Sequence, residues 1–150
     1  MPAATPCILL VDDDEDDIIL TKRAFERMRI GNPLQVANNG EQAIEYLSGT
    51  GSFADRAKHP LPTLILLDVK MPRKGGHEVL EWLKAQPQLR RIPVVMLTSS
   101  KDPADVNRAY DHGVNSYLVK PLSFDGLNEI ARALNLYWIM INQTPDVAAP

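Results

Sequence analysis

The feature that most constrains this chain is a repeated alternation, in which a short apolar run ends at a polar or acidic residue and a segment of helical period follows. The first run, Cys7-Ile8-Leu9-Leu10-Val11, is rich in branched side chains and stops at Asp12. A run so short and apolar at every position reads as a strand covered on both faces. From Asp14 the period changes, with Ile18, Phe25 and Met28 on one helical face and Lys22, Arg23, Glu26 and Arg27 available for the other. Gly31-Asn32-Pro33 stops that helix.

The alternation continues to the end of the chain. Residues 34–37 read as a second strand, Asn38-Asn39-Gly40 as a turn, and 41–48 as a helix with Ala43, Ile44 and Leu47 inward. Segment 49–62, with its Gly and Pro breakers, exceeds the roughly two to six residues usual for such a connection and reads as a surface insertion. Residues 63–67 form a strand ending at Asp68, and a loop over 71–76 leads to a helix burying Val79, Leu80 and Leu83. A strand over 93–97 ends at Thr98, a helix spans 103–112, and a strand over 116–119 ends at Lys120-Pro121. Ser123 caps a last helix running to about Asn142. Five strands alternating with five helices predict an α/β fold, a doubly wound parallel sheet with helices on both faces. One domain over 7–142, with disordered tails at 1–6 and 143–150, accounts for the 150 residues.

Composition excludes several function classes. Sixteen Lys and Arg against nineteen Asp and Glu give a net charge of -3, opposite to the footprint of a nucleic-acid binder. No run approaches the ~18 apolar residues of a membrane helix, and the N-terminus carries no basic side chain or long apolar core of a signal peptide. The single cysteine, Cys7, sits in an apolar run and reads as a buried small residue, which fits a reducing cytoplasm.

In an open α/β sheet, ligands bind beyond the carboxyl ends of the strands, where the strand order reverses. Asp12 and Asp13, Asp68, Thr98 and Lys120 all stand at such ends. Three carboxylates brought together repel, and a hard cation such as Mg²⁺ relieves that repulsion. A metal beside a carboxylate and a lysine suits phosphoryl transfer, with Asp68 as nucleophile, Lys120 pairing with one phosphoryl oxygen and Thr98 donating to another. Ser99 leaves the approach uncluttered, and Lys70 and Ser100 border the site.

These residues resemble the receiver domains of two-component response regulators. The resemblance rests on Ile8-Leu9-Leu10-Val11-Asp12-Asp13, on Leu67-Asp68-Val69-Lys70-Met71-Pro72 with Gly75-Gly76, on Val95-Met96-Leu97-Thr98-Ser99, and on Tyr117-Leu118-Val119-Lys120-Pro121, in that order. It implies a flavodoxin-like sheet ordered 2-1-3-4-5, with phosphorylation of Asp68 from a phosphohistidine on a sensor kinase. It also implies Mg²⁺ ligation by Asp13, Asp68 and the Lys70 backbone carbonyl, with Asp12 acting through water. A cis bond before Pro121 and a switch pairing Thr98 with an inward-turning Tyr117 follow from the same likeness. Within the family the chain is most similar to stand-alone regulators of phytochrome-type histidine kinases. The 49–62 insertion, the Gly76-His77-Glu78-Val79-Leu80 helix start and the extension Tyr137-Trp138-Ile139-Met140-Ile141 carry that likeness, although Asp12 stands where that group often has glutamate.

Alternative readings of the same residues are weaker. Asp14 to Asp17 read as caps of the first helix that favour its N-terminal dipole, and a calcium loop fails because its glycine and final glutamate places hold Asp17 and Arg23. A haloacid-dehalogenase-type phosphatase needs a second acid two residues after the nucleophile, where Lys70 stands. A nucleotide-binding flavodoxin-like module lacks its phosphate-cradling glycines, and the complete set of acids, hydroxyl and lysine argues against a pseudo-receiver scaffold. His59, His77 and His112 read as surface or structural residues. Of the last helix, Leu127, Ile130, Ala131, Leu134, Trp138 and Ile141 share a core-facing side, while Leu136, Tyr137, Ile139 and Met140 add apolar surface elsewhere. That excess predicts a homodimer through 137–141, the alternative being packing against the 49–62 insertion. The chain therefore reads as a response regulator that signals by protein contacts, with no room after Lys120 for an output module.

Overall fold

Each apolar run forms a parallel strand, and each periodic segment a helix, in the computed structural model, which describes residues 7–141, 145 and 147. The order is β1 (Ile8–Val11), α1 (Glu15–Arg27), β2 (Leu34–Ala37), α2 (Gly40–Ser48), a 3-10 turn (Gly51–Phe53), β3 (Leu64–Leu67), α3 (Gly76–Lys84), β4 (Val94–Thr98), α4 (Pro103–Asp111), β5 (Ser116–Val119) and α5 (Phe124–Leu134). The five strands pair in the order β2-β1-β3-β4-β5, all parallel, which is the flavodoxin-like arrangement. Residues 1–6 and Asn142, like most of the expected C-terminal tail, lie outside the described residues.

Side chains alternate between the faces of the sheet with a period of two. Leu9, Val11, Ile65, Leu67, Val94 and Met96 point to one face and pack with α2, α3 and α4 through Ala43, Leu47, Val79, Leu80, Leu83 and Ala109. Ile8, Leu10, Leu64, Leu66, Val95 and Leu97 point to the other, where α1 and α5 supply Ile18, Phe25, Leu127, Ala131 and Leu134. Because both faces are covered, β1, β3 and β4 are buried throughout and need no polar alternation.

Two local outcomes differ from the sequence reading, one in α2 and one in the last helix. In α2, Tyr46 is fully buried and Ile44 only half-buried. The Tyr46 hydroxyl donates to the Pro60 carbonyl at 2.8 Å and lies 3.9 Å from the Cys7 sulfur, so a polar partner makes its burial tolerable. The 49–62 insertion is fastened to the body by Arg56, whose guanidinium donates to the Tyr46 and Leu47 carbonyls at 2.7 and 2.8 Å. They add to the C-terminal cap of α2, where Gly49 adopts the left-handed conformation (φ 70°) and its N–H also donates to the Tyr46 carbonyl at 3.2 Å.

The last helix does not continue as an α-helix. After Leu134 it widens into a π-helical segment, Asn135–Ile141. A wider turn rotates every following side chain, so the α-helical phase read from the sequence does not extend past Leu134. Trp138 is half-buried against the α1/α5 side of the core, whereas Leu136 and Tyr137 are exposed. Phe53 and Leu61 of the insertion pack on the opposite face of the sheet, which removes packing between the insertion and Trp138 as an alternative. Val147 also reaches that opposite face.

One close approach ties this architecture to the functional edge. The Gly76 N–H donates to the Val69 carbonyl at 2.8 Å, and a Cβ at Gly76 would lie 2.1 Å from the Asp68 carbonyl oxygen. Gly76→Ala is expected to push the α3 start off β3 and cost about 1–3 kcal/mol or more, measured as a lower urea midpoint with an unchanged slope.

Candidate functional site

The hydrogen-bond ladder of the sheet runs one residue beyond the strands and fixes the backbone of the chemically active residues. The Asp12 N–H donates to the Ala37 carbonyl at 3.1 Å, Asp68 to Val11 at 3.0 Å, and Lys120 to Thr98 at 2.7 Å. Asp12 and Asp68 therefore stand side by side beyond β1 and β3, at the point where the strand order reverses. Asp12 and Thr98 are buried to 1% exposure and Asp68 to 7%, so these polar groups are withdrawn from bulk water. Asp13, the next residue, is exposed.

Ligand oxygens of Asp12, Asp13 and Asp68 all lie within 4.8 Å of one another. Hard divalent cations take carboxylate, carbonyl and water oxygens, so this donor set fits Mg²⁺. Lys70, two residues beyond Asp68, is exposed at the start of the β3–α3 loop. That loop is held to α2 by the Glu41 N–H, which donates to the Arg73 carbonyl at 2.9 Å.

Lys120 reaches into the cluster from β5. Its ammonium donates to Asp12 Oδ2 at 2.7 Å, Asp17 Oδ2 at 2.9 Å and Asp68 Oδ2 at 3.1 Å. Burial opposes charge on this lysine, but the bonds to Asp12 and Asp17 and the charge of Asp68 hold its pKa above the ordinary lysine range. Burial likewise pushes the Asp12 carboxyl upward, against the opposing bonds from Lys120 and the Asp14 N–H. The second oxygen of Asp68 accepts from the Val69 N–H at 2.7 Å.

The lysine makes these contacts through a trans link. No cis peptide bond occurs among the described residues, so the bond before Pro121 is not cis as the family resemblance implies. Trans is the intrinsically preferred isomer before proline by about 0.5–1 kcal/mol, and Lys120 reaches all three carboxylates with it.

Asp17 is the residue that sequence reasoning missed. Asp14 does cap α1, accepting from the N–H groups of Asp16 and Asp17. Asp17 is in the first turn as expected, but its side chain turns to the lysine. The sequence carried no separate signal for this role, since an acid in the first turn of a helix already complements its dipole.

A second polar chain leads away from the site. Thr98 Oγ1 accepts from the Ser100 N–H at 3.3 Å, and the Ser100 carbonyl accepts from the Tyr117 hydroxyl at 2.8 Å. Tyr117 is half-buried and packs inward on the core beneath α2–α4. The Ser100 hydroxyl donates to Asp105 Oδ2 at 2.6 Å, and Asp105 Oδ1 lies 3.2 Å from His77 Nε2. Thr98 and Tyr117 are thus joined through one loop residue, Ser100, whose partner Asp105 in turn links α4 to α3. His77, 6% exposed, is structural and not a surface residue. The Ser100 bond holds the Asp105 carboxyl below its ordinary range, with burial opposing and His77 adding to the effect.

Among the residues expected at a dimer interface, Tyr137 is exposed and Trp138 stacks edge-on against it at 5.0 Å between ring centres. The backbone of Ile139, Met140 and Ile141 belongs to the π-helical segment, and their side chains lie outside the described set. No helix among the described residues is long and apolar enough to cross a membrane.

Comparison with known proteins agrees with this geometry. The response regulator receiver domain family matches residues 8–132. The probable methanogenesis regulatory protein FilR2 of Methanothrix harundinacea is 40% identical over 141 residues, covering 94% of this chain and 88% of its own. Response regulator Rcp1 of Synechocystis is 36% identical, covering 88% of each chain. The crystal structure of the phosphorylated cyanobacterial phytochrome response regulator RcpA matches with a TM-score of 0.88 at 34% identity, covering 95% of this chain and 100% of that one. With its strand order, its edge of carboxylates and lysine, and relatives associated with phytochromes, this chain belongs to the response regulator receiver family.

Proposed function

We propose that this chain accepts a phosphoryl group on Asp68 from a sensor histidine kinase, in a Mg²⁺-dependent reaction, and passes the signal on by protein contacts. The observation that carries this reading is the placing of one carboxylate, Asp68, between a lysine ammonium at 3.1 Å and two further acids. Asp12, Asp13, Asp68 and the Lys70 carbonyl would hold the metal, which neutralises charge between the carboxylate and an incoming phosphoryl group. An Asp68 oxygen forms the new bond to phosphorus while the bond from phosphorus to the donor imidazole nitrogen breaks, its electron pair staying with the imidazole. Lys120 pairs with a phosphoryl oxygen and Thr98 donates a hydrogen bond to another. The same residues carry self-catalysed dephosphorylation, with water as the nucleophile. A phytochrome-class kinase is the favoured donor because Rcp1 and RcpA resemble the chain over most of its length.

Output follows the polar chain through Ser100. A shift of Thr98 toward the phosphoryl group disturbs the Ser100 N–H bond, and Ser100 bears on both Tyr117 and Asp105. Phosphorylation then biases a two-state element made of the β4–α4 loop, α4 and β5. Homodimerisation through 137–141 is part of this reading. It is supported by exposed Leu136 and Tyr137 beside an open groove of about 530 Å³ lined by Leu118, Ile130, Leu134 and Trp138. Cytoplasmic placement fits a buried, unpaired Cys7.

Incubation with acetyl phosphate and Mg²⁺ should give wild type an acid-stable, base-labile adduct that raises its mass by one phosphoryl group, and Asp68→Asn should stay unmodified. Labelling of both proteins to the same extent would exclude Asp68 as acceptor. In sedimentation velocity at tens of micromolar the chain should run as a dimer, and Leu136→Glu with Tyr137→Glu should shift it to monomer; a wild-type monomer rules out this interface. The lowered pKa of Asp105 fixes a third result. Its stabilising contribution is present above the unfolded aspartate pKa and is lost as pH falls through the depressed folded value. Ser100→Ala should therefore lower the thermal midpoint at neutral pH and narrow the gap to wild type as pH falls below the usual aspartate range.

A further inference from the structure

The three protons of the Lys120 ammonium are all engaged, by Asp12 at 2.7 Å, Asp17 at 2.9 Å and Asp68 at 3.1 Å. An ammonium has no fourth donor, so any anion that takes a bond from it must share or displace one of these acceptors. Asp12 and Asp68 belong to the carboxylate trio that fits a cation, whereas Asp17 does not. Asp17 is also the most accessible of the three, its side chain 36% exposed against 2% for Asp12 and 10% for Asp68. Nothing in the phosphoacceptor chemistry calls for this fourth acid, yet it holds the lysine more closely than Asp68 does.

We infer that Asp17 is a positioning residue that holds the Lys120 ammonium toward α1 and so sets how strongly an anion seated on Asp68 is bound. This rests on the phosphoacceptor reading of Asp68. The Asp17 carboxylate occupies one of the three donors of the partly buried Lys120 ammonium, a donor that an anion seated on Asp68 must share or displace. Asp12 remains to orient the lysine when Asp17 lets go, because its bond is the shortest of the three. Asp17 thus tunes the phosphorylated state without touching the phosphoryl group.

The test is the affinity of the full-length protein for beryllofluoride, a stable mimic of the acyl phosphate, at saturating Mg²⁺ by fluorine NMR. Asp17→Asn should bind it about fivefold or more tightly than wild type, since a charged acceptor becomes a neutral one. Asp17→Glu, which restores the carboxylate, should stay within about twofold of wild type. In a Lys120→Ala background the Asp17→Asn change should alter binding by less than about twofold, which a merely structural role for Asp17 does not predict. Asp17→Ser replaces Asp17→Asn if the latter does not melt cooperatively. Unchanged or weaker binding by the neutral variants, or an equal gain with Asp17→Glu, overturns the role of Asp17 alone. Failure of folded, Mg²⁺-saturated wild type to bind beryllofluoride overturns the acceptor reading and this inference with it.

Discussion

Everything at the working edge depends on one partly buried cation among several anions. Lys120 is 12% exposed and serves Asp12, Asp17 and Asp68 at once. Withdrawing charges from water costs several kcal/mol per ion, and only close, well-directed bonds offset it. Here the offset is incomplete by count of charge, since Asp13 joins the cluster and one lysine faces four carboxylates. The site is left with a surplus of negative charge in a partly dry setting, which a divalent cation relieves and a lone phosphate does not. An anion approaching this edge meets that surplus unless a cation offsets it.

The fold is what makes so costly an arrangement possible. Asp12, Asp68 and Lys120 each donate a backbone N–H to a neighbouring strand, so no loop flexibility is available for the acids to move apart. Behind them lie strands buried on both faces, whose packing resists small displacements. The glycine at α3 serves the same end, since only a residue without a Cβ lets the helix start against the Asp68 carbonyl. Sheet, crossovers and glycine together impose the proximity that like charges oppose.

What the sequence made legible follows from this division. Strand runs buried on both faces carry a pattern too simple to misread, and the acids and Thr98 sit at their ends while Lys120 ends the half-buried β5, so the fold and the outline of the site could be read residue by residue. Asp17 could not, because an acid in the first turn of a helix already has a sufficient local reason to be there. Its bond to Lys120 spans 103 positions and is decided by how α1 packs beside α5 on one face of the sheet. Tyr46 was hidden for a similar reason, since the partner that makes its burial tolerable, the Pro60 carbonyl, belongs to a distant insertion. The widening after Leu134 has no sequence signal that we can identify, and it alters which residues share a face.

The same geometry bears on how a local event becomes a distant one. Ser100 is joined to Thr98 through its N–H, to Tyr117 through its carbonyl and to Asp105 through its hydroxyl. A residue that uses all three of its polar groups cannot yield to one neighbour without changing its geometry toward the others. Asp105 extends the chain to His77 at the start of α3, so elements that are separate in sequence share one set of directed bonds. Directed bonds are either made or broken, unlike apolar contacts that adjust by degrees, and such a set favours two discrete arrangements over a continuum. At the other side of the same edge, the bond from Lys120 to Asp17 ties the residue after β5 to the first turn of α1, so the lysine too is shared between elements distant in sequence.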